Sequence, residues 1–448
     1  MNTSLPTTTS APTGIPAAPV KVPHRWRNLA TLTGVTVVDN TEAGLTTTLF
    51  PSIAAALSLN SGHLGVLAAA GKVIAVPAGP FWVWLASRIG RRAALVLTTV
   101  IGGTFGIAAG FSQDWIQLLI FATLMSASLI GGSPIANAVI SDSFDDANRS
   151  KAVGYFYGGV SGIASVVGPA IALFTGLTDG WRYGMWTIGA VCILSGILVR
   201  LVFRDPGVGA SEAQLATLDE SERAKQKVTI RSVLSLFTIP TFSIMMLSRL
   251  LSGHLLITIF GIQFLVVERG FENPVAALVL LPFGLGYIVG TIGGGWTIPV
   301  LDRTLGLRGR VAFIQLAQVF FAVAAFFATQ QPHENIGVYS VFWALMGLAQ
   351  GMNPPVNRPI VSSVVLPELR GQAFAIWLTV FETVGWAVFS LGAGTLALTL
   401  GLQGVFLYVL VGAMLLNAVV LGALYLVYPR DVRRVEAELN RRAALARV

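Results

Sequence analysis

Charge is scarce in this chain. Asp, Glu, Lys and Arg make up 11% of its 448 residues, whereas soluble globular domains carry about 25%. So little charge does not coat a water-exposed surface. That excludes a soluble enzyme, a disordered chain and a nucleic-acid binder, in spite of a net charge of +8. Cysteine is nearly absent, and the single Cys192 permits no internal disulfide. The four histidines, His24, His63, His254 and His333, have no metal-ligand spacing, so no metal and no cofactor are expected. Lysine is rare too: 5 of the 29 basic residues. The excess of Arg, Ala and Gly points to a GC-rich bacterial genome. Also missing are a Gly-x-x-x-x-Gly-Lys-Ser/Thr loop and a His-Glu-x-x-His pair, so ATP hydrolysis and intramembrane enzyme chemistry find no support.

What the chain has instead is apolar length. Hydrophobic residues make up 54%, and a helix needs about 20 of them to cross a bilayer core. Twelve such stretches run over 29–57, 64–85, 93–111, 116–140, 152–177, 183–202, 241–266, 275–300, 310–329, 336–363, 371–399 and 402–427. They predict an all-α membrane protein: a disordered cytosolic tail (1–27), a six-helix bundle (28–202), a cytosolic linker (203–240), a second six-helix bundle (241–428) and a cytosolic tail (429–448). With both ends inside, 24 of the 29 basic residues fall in inner segments, and only Arg182 and Arg269 fall outside. The reverse orientation breaks the positive-inside rule at nearly every loop. A multi-pass protein of the cell membrane with cytoplasmic termini is therefore expected.

The two bundles repeat each other. Ser133-Pro134, Asp142 and Arg149-Ser150-Lys151-Ala152 correspond to Pro354-Pro355, Ser363 and Arg370-Gly371-Gln372-Ala373 at an offset of 221, which also carries Gly180 onto Gly401. Ser87-Arg88-Ile89-Gly90-Arg91-Arg92 is echoed by Asp302-Arg303-Thr304-Leu305-Gly306-Leu307-Arg308. On these motifs the chain resembles the major facilitator superfamily over residues 27–430. That family's loop signature, Gly-x-x-x-Asp-Arg-x-Gly-Arg-Arg, is matched at Arg88, Gly90, Arg91 and Arg92, with Val83 and Ser87 replacing the glycine and the aspartate; Asp302 and Arg303 are kept in the second copy. The family's fifth-span antiporter glycines survive only as Gly168-Pro169, and the fourth-span arginine of proton-driven members is missing. The run 133–156 looks most like the spinster-type branch. The resemblance implies twelve helices in two pseudo-symmetric bundles, alternating access around a midplane site, gating by Arg88, Gly90, Arg91, Arg92, Arg149, Asp302, Arg303 and Arg370, and bending at Gly168 and Pro169. For the loop arginines, simple positive-inside anchoring is the alternative.

Six charges remain inside the spans: Lys72, Arg249 and Arg358 against Asp39, Glu42 and Glu382. Each costs about 2.5–3.5 kcal/mol on insertion scales, so they persist only if paired or wetted. Their balance suggests one solvated central cluster. Asp39 and Glu42 are spaced i, i+3 and share a helix face. Two carboxylates so close resist ionising together, which makes Asp39, Glu42 and Glu382 the proton-coupling candidates. Lys72, Arg249 and Arg358 are then charge partners or substrate-anion ligands. The halves align so that Asp39 falls opposite Leu250, beside Arg249, and an Asp39–Arg249 pair that protonation would break is expected. The alternatives are a structural Asp39/Glu42–Lys72 cluster and an Arg358 that snorkels to the interface. Asn40, Tyr157, His254, Gln263, Asn353, Asn357, Trp377 and Trp386 are cavity-lining candidates, each equally able to serve helix packing. Gly286-x-x-x-Gly290-x-x-x-Gly294 has helix-packing spacing rather than that of a nucleotide loop.

The functional expectation is a proton-coupled secondary transporter of a small organic solute, leaning toward export of an amphipathic compound. Proton symport of an organic anion is the alternative, and a membrane sensor or lipid scramblase is the reading of another class. The expected partners are a small-molecule substrate, protons and the lipid bilayer. No nucleic acid is expected, and the protein is expected to be a monomer.

Overall fold

The computed structural model describes residues 22–172, 174, 177, 179–215 and 228–445. Most of the expected N-terminal tail and the run Asp219–Lys227 of the linker lie outside the described residues. No strand occurs among the described residues.

The helices fall into twelve bilayer-length segments. In the first half these are α1 (Arg25–Thr48, continued by Phe50–Leu57), α2 (Ser61–Ile89), α3 (Arg91–Gly110), α4 (Trp115–Leu129 and Gly132–Ser143), α5 (Asp146–Ala172) and α6 (Gly180–Val202). In the second they are α7 (Pro240–Leu250 and Leu255–Val267), α8 (Asn273–Ala277 and Leu280–Leu305), α9 (Leu307–Gln330), α10 (Ile336–Gly351 and Pro354–Ser363), α11 and α12. α11 comprises Arg370–Ala375, a π-helical stretch Ile376–Phe381, and Glu382–Phe406 up to a break at Gly401. α12 runs from that break through Leu407–Ala413 to Met414–Gly422. The expected C-terminal tail is a helix, α13 (Leu424–Leu445), whose Val435 and Leu439 pack on Leu215 of the linker.

Nine of the described helices are long and apolar enough to cross a membrane. The three segments that fall short are α1, α5 and α10. They carry the Asp39/Glu42 pair, the Gly- and Ser-rich face, and the Asn353–Arg358 stretch, so their polarity belongs to the interior of the bundle rather than to lipid. The repeat shows in the breaks. α4 and α10 are each interrupted just before Pro134 and Pro354-Pro355, where a proline starts a helix more readily than it continues one. Gly90 (φ 90°) and Gly306 (φ 58°) make the same turn after α2 and α8. Only glycine adopts that backbone without strain.

Small residues close the packing. α5 and α8 join the halves: a methyl on Gly154 would lie 2.5 Å from the Thr291 carbonyl oxygen. Within the second half, Gly286 and Gly290 sit against the Ala344 and Leu348 carbonyls, and Gly347 against that of Phe283. The α8 glycines thus serve helix packing. Gly347→Ala is expected to destabilise by about 1–3 kcal/mol through overpacking against rigid backbone, read as a lower melting temperature in detergent. An unchanged melting temperature would contradict this close approach. The packing around the expected bending point at Gly168 and Pro169 lies outside what is described.

Candidate functional site

Two features stand between the halves: an ionic lock at the end that carries the basic loops, and a chamber above it. The lock grows from the repeated loop motif. Arg149 Nη2 donates to the Ser141 carbonyl (2.9 Å), and Arg370 Nε donates to the Ser362 carbonyl (3.1 Å). Each arginine thus clasps the backbone eight residues upstream, at the offset of 221. From these seats they reach across. Arg370 Nη1 donates to Asp142 (2.8 Å), which also accepts from Arg91 (2.6 Å). Arg310 donates to Asp302 of its own half (2.7 Å) and to Asp146 of the other (2.5 Å). Glu212, in the linker, accepts from both Arg149 (3.3 Å) and Arg370. Asp205 holds Arg91 from the same linker.

Burial alone would raise the Glu212 carboxyl, but Arg370 and Arg149 outweigh it and hold it below its ordinary value. Burial and Arg91 act on Asp205 in the same opposed senses, with the same downward result. A carboxyl lowered in the closed state favours closure above its open-state value and loses that contribution only as pH falls through the lowered one. The contribution of these two linker carboxylates to closure is therefore expected to stay constant from about pH 8 to about pH 5. Accessibility labelling from the basic face with Asp39 and Glu42 replaced by their amides checks this, and opening of that variant within the window would contradict it.

The other loop residues are outside this lock. Arg88 lies over the Trp84 ring at 5.6 Å. Arg92 donates to the Arg200 carbonyl. Arg303 is exposed, with no partner among the described contacts. Asp142 stood in the quoted motif, but Asp146, Asp205, Glu212 and Arg310 were not singled out as site residues. The linker acids carry no local signal, because their position depends on how the linker docks.

The chamber consists of two adjoining cavities. One, of about 330 Å³, is lined by Arg249, His254, Asn353, Asn357, Arg358, Trp377 and Glu382, among others. The second, of about 420 Å³, is lined by Asp39, Asn40, Lys72, Trp386 and again Glu382. Ile130, Ser133, Leu378 and Thr379 are common to both. The π-helical stretch of α11 supplies Trp377, Leu378 and Thr379 and delivers Glu382 at its end. π-bulges occur often at functional sites.

The charge pairing differs from the expected one. Arg249 pairs with Glu382, not with Asp39. α7 breaks after Leu250, and Trp377 Nε1 donates to the Met245 carbonyl (3.0 Å), which ties α11 beside α7 and brings Glu382 to Arg249 within one half. Asp39 turns instead toward α3 and α6 and accepts from Thr99 (3.4 Å) and Cys192 (3.6 Å). Glu42 lies behind it, fully buried against Gly106, with both carboxyl oxygens lacking a partner among the described residues. It lines neither cavity. Lys72 sits over the Trp386 ring at 5.6 Å and makes no described ion pair with Asp39 or Glu42.

Arg358 does not snorkel. It is 7% exposed, its guanidinium lies 4.3 Å from the Tyr157 ring and 5.5 Å from that of Trp377, and Nη1 donates to Asn357 (2.8 Å). Its Nε has no acceptor, and no carboxylate pairs with it among the described residues. Asn353 joins an amide chain with Gln318 (2.7 Å) and Asn417. His254 is buried edge-on to Phe321, its Nδ1 without a partner. Gln263 is exposed and lines neither cavity.

Two six-helix halves, locked at one end around a polar chamber, are the architecture on which secondary transporters are built. The chain matches the Major Facilitator Superfamily over residues 32–340, and it belongs to that family. It is 26% identical over 201 residues to a probable 4-methylmuconolactone transporter of Cupriavidus pinatubonensis, covering 44% of each chain. It is 24% identical over 289 residues to a probable sulfoacetate transporter of Cupriavidus necator, covering 61% of this chain and 66% of that protein. The chain thus spans less than two thirds of the length of these curated relatives. Spinster homologues of Homo sapiens and Mus musculus are also similar to it. The fold matches that of the proton:xylose symporter XylE with a TM-score of 0.70 at 14% identity, over 90% of this chain and 96% of that one.

Proposed function

We propose that this transporter moves small organic anions together with protons, by alternating access of its two halves around the chamber. Arg358 carries the reading. Among the described residues no carboxylate pairs with its buried guanidinium, flanked by Tyr157 and Trp377, and the one nearby acid of its cavity, Glu382, is engaged by Arg249; a buried cation so weakly compensated is costly until something negative joins it. An organic acid supplies that charge, and its carbon frame suits the rings. This favours the anion alternative over the amphipathic exporter. The relative named for sulfoacetate transport is consistent with it, as is the loss of the antiporter glycines at Ala164 and Ile171-Ala172.

The coupled proton is assigned to Asp39, which lines the chamber, with Glu42 behind it as a second acceptor. A proton entering with the anion offsets the inside-negative potential, which otherwise opposes anion accumulation. With the basic face cytosolic, at the cell membrane and in a monomer, the lock shuts the inner exit and the described conformation loads from outside. Asp39→Asn is expected to abolish accumulation driven by a pH gradient in proteoliposomes while anion counterflow continues. Accumulation that keeps its full gradient dependence in this variant would remove Asp39 from the coupling site.

A further inference from the structure

Three cations reach the chamber, and their counter-ions are unequal. Arg249 is engaged by Glu382. Arg358 has no carboxylate among its described contacts and leaves Nε without an acceptor, and Lys72 has only the face of Trp386. These two lie in different cavities, contributed by different halves, that meet at Ser133, Leu378, Thr379 and Glu382. On the Lys72 side the cavity holds Asp39 and the Glu382 that Arg249 already engages. Once Asp39 holds the coupled proton, as proposed above, Glu382 is the one ionised carboxylate lining the chamber among the described residues, against the three cations Arg249, Arg358 and Lys72.

We infer that the substrate is a two-headed organic dianion, one acid group on Arg358 and the other on Lys72, with an aliphatic spacer crossing the Leu378–Thr379 junction. The inference rests on the anion reading and names its substrate class. The junction presents Ile130, Leu378 and the Thr379 side chain, whose hydroxyl is already committed to the Ala375 carbonyl, beside Ser133 and the Arg249-paired Glu382. Its Ile130–Leu378 side suits an aliphatic spacer. A single-headed acid satisfies one cation and leaves the other bare. A compact dianion such as inorganic phosphate places both charges at one point and meets only one cavity. The division of labour follows: Arg358 anchors by a planar, aromatic-flanked contact, whereas Lys72 acts as a flexible point charge. Because the two cations belong to opposite halves, a bridging dianion also ties the halves together, which a monoacid cannot do.

The test is a thermal-shift titration of the purified full chain in detergent at fixed pH. The ligands are succinate, glutarate and adipate against butyrate and inorganic phosphate, on wild type, Lys72→Gln and Lys72→Arg. In wild type the best diacid is expected to bind about tenfold or more tighter than butyrate. Lys72→Gln brings that ratio to about one, and Lys72→Arg restores most of it. The melting temperature without ligand controls for folding. Equal affinity for diacid and monoacid in wild type, a preference that survives Lys72→Gln, or tightest binding by phosphate overturns the dianion while leaving the anion reading intact. Absence of binding by every acid overturns the anion reading itself.

Discussion

Replacing Arg358 by glutamine is expected to weaken organic-anion binding on the order of 100-fold. The guanidinium is 7% exposed and pairs with no carboxylate among the described residues, while Glu382 of the same cavity is engaged by Arg249, so a bound acid group meets a largely uncompensated positive charge in a poorly hydrated site. Charge-assisted hydrogen bonds there are worth about 1.5–3 kcal/mol each. Arg358→Lys keeps the charge but loses the planar fork and its stacking against Tyr157 and Trp377. It is expected to fall between wild type and glutamine. Binding is read by titration on purified protein. A loss smaller than about threefold in Arg358→Gln would place the anion elsewhere.

Arg370→Gln is expected to open the basic face. Arg370 is the donor shared by Asp142 and Glu212, so it binds the first half and the linker to the second. Its removal leaves Asp142 with Arg91 and Glu212 with Arg149 as their remaining cations, and losing buried charge-assisted bonds of this kind costs about 1.5–3 kcal/mol. Because the cost falls on the closed state, the open population rises by roughly one to two orders of magnitude before it saturates. The native Cys192 is buried within the first half, so a cysteine placed at Ser133 in the chamber reports access with little background. Its alkylation from the basic face is expected to accelerate accordingly. Adding Asp142→Asn, which removes an acid left with one of its two arginines, is expected to give back part of the closure. Unchanged alkylation in Arg370→Gln would show that the lock does not hold the halves.

What the sequence revealed and what it hid divide along a physical line. Features set by local chemistry were legible. Long apolar runs fixed the spans, and the repeat at an offset of 221 placed Arg149 and Arg370 in equivalent seats on the Ser141 and Ser362 carbonyls. The cost of intramembrane charge pointed to Asp39, Lys72, Arg249, Arg358 and Glu382, all of which line the chamber. Features set by helix rotation and docking were hidden. Spacing put Asp39 and Glu42 on one face, yet Asp39 reaches the chamber wall and Glu42 lies behind it on Gly106. Opposition of the halves suggested Asp39 for Arg249, but the break in α7 and the π-helical stretch in α11 give Arg249 to Glu382. Glu212 had no signal at all, because a linker acid becomes a bolt only when Arg149 and Arg370 meet over it.

The most direct measurement is uptake of a labelled diacid into proteoliposomes under an imposed pH gradient, in wild type and Arg358→Gln. Accumulation driven by outside acidity in wild type and lost in a normally folded Arg358→Gln is the expected result. Accumulation indifferent to the gradient, or undiminished in Arg358→Gln, would contradict a proton-coupled anion site in this chamber.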